Sequence, residues 1–85
     1  MAEEEEVGRV MDYFAKVGVA GIDLSQKLRV GETIRIKGHT TDFEQNVDSI
    51  QIEHEQVEEA KPGDPIGIKV KERCRSGDHV YRVVA

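Results

Sequence analysis

Isoleucine and valine recur at every second position through much of the chain. Ile34 and Ile36 alternate with Arg35 and Lys37, and Ile66, Ile68 and Val70 alternate with Gly67, Lys69 and Lys71. The run His79-Val80-Tyr81-Arg82-Val83 continues the theme near the C-terminus. A period of two in β-branched residues predicts half-buried strands and not helices. Segments 7–14 and 17–24 read as two further strands. In the second, Ala20, Ile22 and Leu24 share one face; in the first, both Val7/Met11/Tyr13 and Val10/Phe14 carry apolar groups, and the facing stays open. Between 47 and 56, Ile50 and Ile52 set the inward parity while Val47 opposes it, which a bulge near Asp48-Ser49 would reconcile. Residues 56–61 read as a single helical turn. Segment 39–43 reads as a polar loop pinned by Phe43.

Three turn signals punctuate these runs: Val30-Gly31-Glu32, Pro62-Gly63-Asp64 and Ser76-Gly77-Asp78. Each couples a glycine, free to take a positive φ, to a carboxylate able to accept from nearby backbone amides. Six strands and no long helix predict an all-β fold, a small closed six-stranded antiparallel β-barrel. Closure would remove the exposed edges that a small sheet must otherwise protect.

Composition adjusts this picture at one end. Of the 17 acidic residues, four are Glu3, Glu4, Glu5 and Glu6, and the net charge is −5. The expected organisation is therefore an acidic disordered tail over 1–6 and a single barrel domain over 7–85, the latter close to neutral. No apolar run approaches the roughly 20 residues of a membrane span. Acidic residues at the start are the opposite of a leader peptide, and Cys74 is the only cysteine. The expectation is a cytoplasmic protein with no membrane association.

Candidate chemistry is sparse. His39, His54 and His79 lie on different segments without metal-ligand spacing, so no metal and no cofactor are expected. Cys74 sits between Arg73 and Arg75, a positive surrounding that would lower a thiol pKa, but no base accompanies it. Glu58-Glu59 reads as a solvated pair. With no catalytic constellation, the protein is expected not to be an enzyme. The remaining candidate is a basic surface. Lys69, Lys71, Arg73 and Arg75 recur at every second position, and Arg35 and Lys37 share the outward side of another strand. Such clusters attract backbone phosphates, with Tyr13 and Tyr81 as the available stacking rings.

The stretch Leu28-Arg29-Val30-Gly31-Glu32-Thr33-Ile34-Arg35-Ile36-Lys37-Gly38 is similar to the lead-in strand of the β-barrel second domain of translational GTPases of the elongation factor Tu type. Val47 to Ile52, Val57 to Asp64 and Ile66-Gly67-Ile68 resemble the rest of that signature. The resemblance covers roughly residues 7 to 84 and implies a translation elongation factor-like protein. It implies a non-enzymatic binding module that touches tRNA, ribosomal RNA or a translation factor. No phosphate loop of the form G-x-x-x-x-G-K-[ST] occurs, so no autonomous GTP binding is expected. The positions that would face an aminoacyl end fall near Gly8, Arg9, Gln51 and His54, all departures from that family's residues. A similar barrel ends the collagenase-like peptidases. It implies the alternative, a protein-interaction module that partners a separate enzyme.

Overall fold

The three glycine–acid turns form as the sequence predicts, and they share one chemistry. The N–H of Arg29, Lys61 and Arg75 donates to the carboxylate of Glu32, Asp64 and Asp78 respectively, at 2.7, 3.0 and 2.8 Å. In each turn the acidic residue's own N–H returns to the carbonyl of that same first residue. The intervening Gly31, Gly63 and Gly77 have φ of 98°, 88° and 95°, which only glycine adopts without strain.

These turns join short strands in the computed structural model, which describes residues 4–83. The strands are β1 (Glu4–Phe14), β2 (Val19–Leu24), β3 (Leu28–Arg29), β4 (Thr33–Lys37) and β5 (Asp42–Asn46), then β6 (Ile50–Ile52), β7 (Glu55–Val57), β8 (Glu59–Ala60), β9 (Pro65–Lys69) and β10 (His79–Val83). Eight of them form one antiparallel sheet in the order β5-β4-β10-β1-β2-β9-β6-β7, and β3 pairs with β8. The fold is all-β, as expected. Residues 56–61 hold β7 and β8 in place of a helical turn.

The sheet is open, which corrects the closed six-stranded barrel. It does curl, because Gln45 on the edge strand β5 reaches the exit of β9. Its amide donates to the Lys69 carbonyl at 2.8 Å and accepts from the Lys71 N–H at 2.9 Å. One side-chain amide thus makes the two bonds that a residue of a neighbouring parallel strand would make around Val70. The seam is bridged by a side chain where a barrel would have a ladder.

The enclosed side is filled by aliphatic residues from nearly every strand, among them Val7, Val10, Ile22, Ile34, Ile36, Ile50, Ile68 and Val80. Strand β1 buries both Val7 and Val10, although they have opposite parity. Register shifts between Glu6 and Gly8 and between Val10 and Asp12 make this possible. The same shifts turn Met11 and Phe14 outward. Val47 is buried as well, without the bulge expected at Asp48-Ser49. It extends the β5 pairing, donating its N–H to Glu32 O at 2.8 Å.

Strand β1 begins at Glu4, inside the segment expected to be a disordered tail; residues 1–3 lie outside the described residues. Its first three carboxylates each meet a basic side chain on β10 or, one strand further, on β4. Glu4 contacts Arg35 Nη1 at 3.1 Å and Lys37 Nζ at 3.9 Å. Glu5 pairs with Arg82, and Glu6 lies against His79 Nδ1. Arg82 is mostly buried and also reaches Glu32 and the Lys27 carbonyl. Burial alone would lower its pKa, but Glu5 and Glu32 outweigh that and hold it above its ordinary value. The exposed pairs among them add little to stability, because solvent screens them. Their main effect is on placement, keeping an acidic segment laid along the sheet.

Candidate functional site

The basic residues singled out in the sequence lie on two parts of the surface, Arg35 and Lys37 on β4 and the exposed Lys69, Lys71, Arg73 and Arg75 on β9 and its exit. Arg35 and Lys37 share a face of β4, but Arg35 is bound by Glu4 and by Asp42, whose Oδ1 lies 2.9 Å from Nε. Those hydrogen bonds, Asp42 first, raise its pKa. Lys37 lies 5.9 Å above the Tyr81 ring. Strand β9 ends at Lys69, so Lys71, Arg73 and Arg75 belong to the connection from β9 to β10, where Val70 and Cys74 point inward. Lys69 and Lys71 line a cleft with Glu44, Gln45, Asn46 and Asp48. Lys37 and Arg75 line another with His39, Asp78, His79 and Tyr81. Arg73 lines neither. Lys69 and Arg75 thus line different clefts, and each cleft also holds a carboxylate.

Cys74 lies in a different environment from the one its neighbours suggest. The flanking arginines point out while the thiol is buried. Burial, with the Asp78 carboxylate adding to it, pushes its pKa from 9.0 up to about 11. The thiol therefore stays protonated at neutral pH and is a poor nucleophile. Alkylation by iodoacetamide in native buffer is expected to be negligible at pH 7 and to rise only as the pH approaches about 11, whereas unfolded protein reacts readily. Between these two pKa values the unfolded chain releases a proton that the folded chain keeps, so folding stability falls as pH rises through that window. Rapid modification of the native protein near pH 7 would contradict the burial. Among the described residues no group of three or more His, Cys, Asp or Glu side chains has the geometry to hold a metal ion. No helix among them is long and apolar enough to cross a membrane.

The outer face of β1, β2 and β9 is a surface that the basic-stripe reading passed over. Met11, Phe14 and Val17 are 54%, 53% and 61% exposed. Gly21 on β2 and Gly67 on β9 are direct partners across the ladder, and two glycines side by side leave the sheet without side chains at that rung. A groove of about 620 Å3 lies over them, lined by Phe14, Val17, Val19, Pro65 and the turn residues Glu53 and His54. A smaller hollow continues past Gly21 and Pro65 to Met11, Asp12 and Asp23. The Glu53-His54 turn joins β6 to β7 with two residues, φ of 50° and 68°. This is the hairpin geometry usually given to Asn-Gly, and each non-glycine residue there costs about 1 kcal/mol or more. Burying one of the exposed apolar side chains fully would contribute about 1.5–3 kcal/mol, so the groove is an energetic resource for association. Its one sequence signal is Gly67 at an outward strand position. Phe14 and Met11 were hidden by the register shifts of β1.

Known proteins bear on these surfaces. No family model matches the chain. It is 47% identical over 77 residues to an uncharacterized protease of Methanocaldococcus jannaschii, covering 89% of this chain and 19% of that protein. It is 41% identical over 78 residues to a collagenase of Porphyromonas gingivalis, covering 89% of this chain and 22% of that protein. The chain therefore spans about a fifth of the length of these curated relatives. Elongation factor 1-alpha of Pyrococcus furiosus is similar over less, 36% across 70 residues and 73% of this chain. The translation-factor resemblance is corrected on this ground, because the protease and collagenase matches are both longer and more alike. Among solved structures, the C-terminal domain of a putative U32 peptidase of Geobacillus thermoleovorans superposes with a TM-score of 0.85 at 23% identity, covering 89% of this chain and 96% of that domain. That likeness shows the fold, and it is to a domain of the same extent.

Proposed function

We propose that this chain is a non-catalytic docking module for a collagenase-like peptidase. The observation that carries the reading is the domain-for-domain correspondence with the C-terminal domain of a U32 peptidase, 96% of which is matched. The protease and collagenase relatives support it too, since the matched part is about a fifth of each. The chain's own chemistry agrees. Its thiol is buried and protonated, several of its carboxylates serve turns and ion pairs, and its distinctive surface is an apolar groove and not a polar cleft. A module of this kind acts by holding a partner, and its contribution to peptide hydrolysis is positional.

Affinity capture of the tagged chain from its own cells, followed by mass spectrometry, tests this. The expected result is recovery of a collagenase-like peptidase that stays bound at high salt. The purified chain alone is expected to give no turnover of gelatin or casein. Turnover by the purified chain that is lost on Cys74→Ser, or capture that never contains a peptidase, would overturn the proposal.

A further inference from the structure

Resting on the docking-module reading, the partner's chemistry is written in the groove's rim. We infer that the groove over Gly21 and Gly67 receives an extended segment of the peptidase that carries a large apolar side chain flanked by lysine or arginine. Three observations lead there. The first is the floor: paired glycines expose main chain over a single ladder rung, whose Cα atoms are about 5 Å apart. An extended strand or an apolar side chain can approach the bare main chain there more closely than over a rung that carries side chains. The second is the wall: Phe14, Val17 and Pro65 offer an aromatic and two aliphatic surfaces to the same space. The third is charge. The groove and its continuation are edged by Asp12, Asp23 and Glu53, with His54 beside them, while Lys69 lines an adjoining hollow that shares Val17, Val19, Gln51 and Gly67 with the groove, at the end away from Asp23 and Pro65. Lys16, in the turn between Phe14 and Val17, is near in sequence but lines neither. An apolar floor with three carboxylates along its edge, against one lysine in the adjoining hollow, selects an apolar side chain with cations beside it.

Glycine 21 allows a test that spares the fold. A Cβ built there meets Asp12 Cβ at 3.6 Å, ordinary contact distance, while occupying the groove. Two blocked peptides with the same central Leu-Phe pair, one flanked by lysines and one by glutamates, are titrated into isotope-labelled chain. The lysine peptide is expected to shift the amides of Phe14, Gly21, His54 and Gly67, and to bind about tenfold more tightly than its glutamate twin. Gly21→Val and Phe14→Ser are both expected to abolish these shifts, and the Gly21→Val spectrum should otherwise remain that of the folded protein. Equal binding of the two peptides, or shifts confined to other faces, would overturn the inference. So would concentration-dependent shifts of these same amides without peptide, which would assign the groove to a second copy of the chain. A collagenase-like peptidase captured equally by wild type and by Gly21→Val would sink the groove assignment while leaving the docking-module reading intact. Loss of capture only in the variant supports both.

Discussion

Replacing Ile68 with alanine is expected to remove about 2–5 kcal/mol of folding stability, read as a lowered urea midpoint at unchanged slope. Ile68 is fully buried and stands opposite Ala20 on β2 and Ile50 on β6, so its side chain packs where three strands meet. Deleting three heavy atoms there loses the transfer free energy and leaves a cavity. The neighbours cannot collapse into it, because each is fixed by its own ladder. Domains of this size have about 5–15 kcal/mol in total, so the substitution takes a large share of it. Ile68→Val should lose only about 0.5–1.5 kcal/mol. If alanine and valine behaved alike, the packing described at this junction would be wrong.

Gly8→Ala is expected to destabilise by about 1–3 kcal/mol for the opposite reason, an atom too many. Gly8 pairs with Val80 on one side and Leu24 on the other, at the centre of the sheet. A Cβ built on it lies 2.6 Å from the Asp23 carbonyl oxygen and 3.2 Å from Leu24 Cα. Both are backbone atoms, so β1 and β2 must separate to admit it. Gly21→Ala supplies the control, since its Cβ finds 3.6 Å or more. There, removing glycine's freedom in the unfolded chain should leave stability unchanged or raise it by up to about 1 kcal/mol. Chemical denaturation of the pair gives the comparison, and equal effects at the two sites would refute the close approach at Gly8.

What the sequence made legible follows where the physics is local. The glycine–acid turns depend on residues three apart, and all three form with the hydrogen bonds their composition implies. Strands β2, β4 and β9 alternate cleanly because one side faces the core and the other water. Strand β5 escaped notice because only Phe43 of its five residues is apolar and buried. Its other inward position is Gln45, which bridges the seam, and a pattern search for buried aliphatics has no means of seeing a polar residue that closes a fold. The β6–β7 hairpin was hidden in the same way, since Glu53 and His54 occupy left-handed positions that composition assigns to Asn and Gly. The basic residues were legible as spacing, and Lys69, Lys71, Arg73 and Arg75 are all exposed, although β9 ends at Lys69 and the rest lie on the connection to β10. The groove required tertiary information. It is formed by residues from β1, the turn after it, β2, β9 and the β6–β7 turn, and its most exposed side chains were oriented by register shifts that carry no sequence mark.

The pairing of β1 with β10 has a further consequence. Glu4 and Val83 stand opposite each other in the ladder, so the two ends of the described fold leave it at the same place. A longer polypeptide could enter and leave such a unit with hardly any detour, wearing it as a side branch without lengthening its own path. Evolution can therefore append, splice in or release the unit as a free-standing piece without redesigning its interior.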